Sequence, residues 1–187
     1  MSAPWRLSLP KSLSVYGIEY AIRSDYRVVL DICTALSDQE LTDEEKAFVA
    51  IDVLYEDFEK MPPDHYREAL EKCFWFINGG VEEPAKASHK LVDWEKDFSM
   101  IVAPINRVAG QDVRGLAYLH WWTFLSLYYE IGDCTFAQIV RIRDCKARGK
   151  KLEKQEREWY ERNRHLVDIP QIFTEAENDM MQKWCGK

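Results

Sequence analysis

Four histidines and five cysteines are the side chains here whose types most readily suggest metal binding, proton transfer or nucleophilic attack. A zinc site on a helix needs two ligands at a spacing that brings them to one face. His65, His89, His120 and His165 lie far apart, and none pairs with another ligand type at i, i+4. His120, beside Trp121, is expected to be a buried, hydrogen-bonded core histidine, because no nucleophile or carboxylate partner is recognisable near it. The cysteines, Cys33, Cys73, Cys134, Cys145 and Cys185, are odd in number and scattered, without the two-residue spacing of redox or zinc motifs. They read as reduced thiols. No dinucleotide fingerprint, phosphate loop or nucleophile elbow occurs, and Gly79-Gly80 runs into Val81-Glu82-Glu83, which does not suit a phosphate. The expectation is a non-enzymatic protein without cofactor or metal.

Charge is distributed unevenly. The chain of 187 residues has a formal charge of −7, and the stretch from Asp38 to Lys60 holds nine acidic and two basic residues. The stretch from Arg141 to Lys154 is the reverse, with seven basic residues against Asp144 and Glu153. Such a dipole can steer an acidic partner, or a second copy of the chain, so Arg141, Arg143, Lys146, Arg148, Lys150 and Lys151 are the candidate partner-binding residues. The plainer alternative is a solvated helix end and loop. Nucleic acid is an unlikely partner, since the isoelectric point is about 5.2 and no aromatic residue interleaves the basic stretch before Trp159.

Positioning these groups falls to helices. Alternating apolar residues between Leu13 and Ile22 around Gly17 predict a hairpin over 13–22, too small to stand without helices against it. The period then lengthens. Ser24 and Asp25 can cap a helix with Tyr26, Val29, Leu30, Cys33 and Leu36 inward, and Thr42-x-x-Glu45 forms a capping box for a second helix that Pro62-Pro63 should end. Asp64 should open a third, stopped by Asn78-Gly79-Gly80, and a fourth should start near Leu91, with Pro104 expected to kink or break it. From Leu116 to Tyr129 nearly every residue is large and apolar, which predicts a central helix enclosed by the others. Adjacent helical positions point about 100° apart, so Trp121 and Trp122 are both buried only in such an enclosure, and at least one is expected in the core. Thr135-x-x-Gln138 should cap the next helix, a charged helix follows over 152–165, and a helical tail is expected over 171–185. The fold class is therefore mainly α: a single domain over 1–187, with about six to eight helices around a central apolar one and a short N-terminal β-hairpin. No run approaches the ~20 apolar residues of a membrane span, and the start lacks a secretory pattern, so a cytoplasmic protein is expected.

The run Leu119-His120-Trp121-Trp122-Thr123-Phe124, followed by Ile139 to Arg143, resembles the signature of a bacteriophage family, gene product fifteen of siphophages and Gram-positive prophages. Other pieces fall in matching order: Asp25-Tyr26-Arg27, Glu44-Glu45-Lys46, Phe74 through Gly80, Asp97 to Val113 ending Gly110-Gln111-Asp112-Val113, and Lys154-Gln155-Glu156-Arg157 before Trp159-Tyr160. The resemblance implies a protein encoded ahead of the tape-measure gene and similar to tail-assembly chaperones, which bind the tape-measure protein and help recruit tail-tube subunits in the bacterial host cell. Alternatives are a structural tail or virion component, or a small regulatory or nucleic-acid-binding phage protein.

Overall fold

Two short strands open the fold, β1 (Ser12–Val15) and β2 (Ile18–Ala21), antiparallel, with Val15 opposite Ile18. The turn between them has φ of 46° at Tyr16 and 78° at Gly17, the double positive-φ turn that matches strand twist. Leu13 and Val15 point into the core. This is the hairpin that alternation predicts. A computed structural model describes residues 9–81 and 91–169, and among these, eight α-helices make up the rest of the framework.

Asp25 caps α1 (Tyr26–Ser37), whose buried side is Tyr26, Val29 and Ile32. Leu30, Cys33 and Leu36, expected on that side, are only half-buried. The Thr42–Glu45 capping box opens α2 (Asp43–Leu54), with both reciprocal bonds present. This helix stops before Pro62-Pro63 for a reason distant in sequence. The Arg23 guanidinium donates to the carbonyls of Asp52, Val53, Tyr55 and Glu56, filling acceptors that a helix end leaves open. Tyr55 turns extended and bridges to Ile22, and a 3-10 turn at Phe58–Lys60 returns Phe58 to the core. A second 3-10 turn, Pro63–His65, leads into α3 (Tyr66–Ile77), beyond which Gly79 and Gly80 take φ of 70° and 84°.

Asp93 caps α4 (Trp94–Ala109), three residues later than Leu91, and the helix continues unbroken through Pro104. Proline removes one backbone donor there, while Ile101, Val102 and Ile105, buried on either side, hold the helix by packing. The expected rod from Leu116 to Tyr129 is shorter than its apolar run. After a 3-10 turn at Val113–Gly115, the chain stays non-helical through His120, and α5 covers only Trp121–Tyr129. Its N-terminal approach pairs with the other chain segment that precedes α1: Tyr26 N–H donates to Leu119 O at 2.9 Å and Trp121 N–H to Ser24 O at 2.8 Å. Backbone groups engaged this way cannot join a helix ladder. Enclosure is also partial, since Trp121, Phe124 and Leu125 are buried whereas Tyr129 is 73% exposed.

Cys134, one residue before the predicted Thr135 cap, caps α6 (Thr135–Ala147) by accepting from Ala137 N–H at 3.4 Å. Glu153 and Glu156 form a capping box for α7 (Lys154–Arg162), and α8 (Arg164–Val167) follows. Ile139, Ile142 and Val167 form a small cluster with Trp159 and Leu166, beside the main core shared by the hairpin and α1 to α6. The predicted tail over 171–185 lies outside the described residues. No described helix is long and apolar enough to cross a membrane.

Candidate partner-binding surface

The residues that carry the family resemblance meet at two interior joints. At the first, Asp25 accepts from Leu119 N–H at 2.9 Å, and Arg27 pairs with Asp25 while donating to Leu116 O at 2.7 Å. Tyr26 stacks on Phe124 with centroids 4.6 Å apart. His120 Nδ1 accepts from Trp122 N–H at 3.0 Å, so Nε2 carries the ring proton and donates to Pro10 O at 2.9 Å. Burial holds the imidazole pKa below its ordinary value, against the opposing bond to Pro10. His120 is thus the hydrogen-bonded core histidine that its neighbours suggest. The two indoles then reach α3: Trp121 Nε1 donates to Ile77 O at 2.8 Å and Trp122 Nε1 to Phe76 O at 2.9 Å. Gly80 packs beneath Trp122, where a Cβ would come within 2.8 Å of Cη2.

The second joint takes one residue away from the candidate surface. Arg143 is buried in a pair with Asp97, and its five N–H donors all find acceptors: both Asp97 oxygens and the carbonyls of Leu91, Leu166 and Val167. It fastens α4, α6 and α8 together and cannot meet a partner. Nothing local in the sequence marks this, because Asp97 is 46 residues away.

The other five basic candidates lie at the surface, three of them already paired. Arg141 holds Glu156 at 2.8 Å and Arg148 holds Asp144 at 2.7 Å. Lys146 binds Asp168 and the Tyr160 hydroxyl, and although partial burial pulls its pKa down, those bonds raise it overall. Lys150 and Lys151, beyond Gly149, are exposed and have no ion-pair partner among the described residues. Five of the six candidates thus stay on the surface, and Lys150 and Lys151 are the two without an ion-pair partner among the described residues.

A feature missed in sequence lies along α1. Its apolar residues exceed one stripe: while Val29 and Ile32 face the core, Leu30 and Ala35 line a groove of about 680 Å³ against Trp94 and Phe98 of α4, with Leu41 at one end. Asp31, Asp38 and Glu95 stand on its rim. It shares Thr34, Asp38, Trp94 and Glu95 with a second hollow of about 430 Å³ that extends to Gln39 and Glu40. The surplus of apolar residues between Val28 and Leu36 was the available signal. Among the described residues, no group of three or more His, Cys, Asp or Glu side chains is placed to hold a metal ion, and no buried side-chain nitrogen or oxygen lacks a partner.

These joints and this groove belong to a mainly helical fold with an N-terminal hairpin. Residues 7–169 match the family model of the bacteriophage Gp15 protein, and the chain belongs to that family of phage proteins. No curated protein and no solved structure matches it.

Proposed function

We propose that this phage protein is a non-enzymatic, chaperone-like factor of siphophage tail assembly that works in the host cytoplasm and binds the tape-measure protein before the tail tube encloses it. The observation that carries the reading is the groove between α1 and α4, an apolar surface on the outside of the fold, whose buried side-chain polar atoms are all partnered among the described residues. A tape measure is a long amphipathic helical chain whose apolar stripes lack cover until tube subunits polymerise around it, and an external apolar groove suits a helix of that kind. Family membership supplies the phage setting. Tail-tube protein is a second partner in this scheme, recruited to the bound chain.

Co-expression with the long, helix-rich product of the phage's tape-measure gene tests it. The expected result is a soluble complex that co-purifies, together with absence of this protein from finished particles. Unchanged solubility without a complex defeats the proposal, and a stoichiometric presence in purified virions assigns the protein to the tail structure instead.

A further inference from the structure

We infer that the α1–α4 groove seats a partner helix whose apolar stripe is flanked by lysine or arginine. The inference deepens the reading above and rests on it for the class of partner, a long amphipathic chain.

Length comes first. The groove follows α1 from Arg27 to Asp38, about 16 Å at the helical rise, which is about three turns of a helix laid alongside. A partner of that length presents apolar side chains at i, i+4, i+7 and i+11 to the floor formed by Leu30, Ala35, Trp94 and Phe98.

Charge decides what flanks that stripe. Asp31 and Glu95 project at the rim from opposite walls, exposed and without an ion-pair partner among the described residues, with Asp38 and Glu40 further along. The two guanidiniums at the other end are already held, Arg27 by Asp25 and Arg114 by Asp112. Carboxylates on both walls of an apolar groove favour cations beside the docked stripe and penalise anions there. The chain's own segments suit the groove less well. Residues 170–187 carry Glu175, Glu177 and Asp179 against Lys183 and Lys187, and at the end of α6 Arg141, Lys146 and Arg148 are held in local pairs, which leaves only Lys150 and Lys151 of that stretch unpaired among the described residues.

The test uses the full chain and two fluorescein-labelled helical peptides of about 15 residues, sharing one leucine stripe at the spacing above and flanked either by lysines or by glutamates. Fluorescence anisotropy should show the lysine peptide binding about tenfold tighter or more, with the gap narrowing as salt is added. The double variant Asp31→Lys, Glu95→Lys changes exposed positions only, and after its helical circular dichroism is verified it should reverse the preference. Equal binding of the two peptides, or an unreversed preference in the folded double variant, overturns the inference. So does competition by a peptide of residues 170–187, which would give the groove to the chain's own end, or a dimer that the lysine peptide dissociates, which would give it to a second copy. A tape-measure complex that survives the double charge reversal removes the groove while keeping the tail-assembly role. Charge-selective peptide binding without any tape-measure complex removes the role and supports the groove.

Discussion

Arg143 and Asp97 face each other inside the protein through two parallel contacts, Nη1 to Oδ2 at 2.5 Å and Nη2 to Oδ1 at 3.0 Å, with side-chain exposures of 6% and 0%. Removing one member leaves an uncompensated buried charge. Arg143→Met or Asp97→Leu alone should destabilise the fold by about 3–5 kcal/mol, while the two together should cost less than the sum of the singles, the remainder coming from the Leu91, Leu166 and Val167 carbonyls left without a donor. Urea unfolding of the single and double variants measures the difference. Loss of partner capture on charge reversal at Arg143 would accordingly report unfolding, not recognition.

Gly80 and Gly17 should respond differently to the same change. Both have positive φ, 84° and 78°, but a Cβ at Gly80 meets the Trp122 ring at 2.8 Å whereas one at Gly17 meets nothing within 4 Å. Gly17→Ala should cost about 1–2 kcal/mol from backbone strain, and Gly80→Ala about 1–3 kcal/mol more from the collision. Shifts in the urea midpoint distinguish them, and equal losses would show that Trp122 moves aside freely.

Acid should weaken the fold through His120. Its folded-state pKa lies below the unfolded value of about 6.5, so the unfolded chain takes up the proton first and stability falls as pH drops through that window. Protonation also fills Nδ1, which then cannot accept from Trp122 N–H. Asparagine keeps a capping oxygen but does not titrate, so His120→Asn should reduce the loss of stability as pH falls below about 6.5. A variant profile as steep as the parent's would place the titration elsewhere.

Cys134 caps α6 with a weak acceptor. Cys134→Ser should preserve the cap or strengthen it by a few tenths of a kcal/mol, and Cys134→Ala should lose about 1 kcal/mol. Thermal unfolding of both variants gives the order; alanine as stable as serine would mean the thiol contributes no cap.

Local rules read the hairpin, the Thr42–Glu45 box and the glycine stop after α3 correctly, because each depends on a few neighbouring residues. The failures share one physical origin, a distant segment claiming backbone or side-chain groups. Arg23 ends α2 from 32 residues away at Tyr55, the backbone before α1 keeps Leu119 out of α5, and Asp97 withdraws Arg143 from the basic surface. Pro104 shows the converse, a strong local signal overridden by packing on Ile101 and Ile105. The groove was only faintly legible: the apolar surplus between Val28 and Leu36 exceeds one stripe, but a 3.6-residue period does not say which distant element forms the opposite wall. The Gp15 signature was legible in order along the chain, and the structure places it mainly at joints inside the domain.

Neighbouring indoles on neighbouring carbonyls have a consequence for motion. With the buried Trp121 fixed to Ile77 and the half-buried Trp122 to Phe76, the end of α3 and the start of α5 cannot separate without stranding the Trp121 donor in the interior. Breathing at this seam is therefore concerted, and amide protons at Gly79, Gly80, Phe124 and Leu125 should exchange with deuterium through one shared opening event.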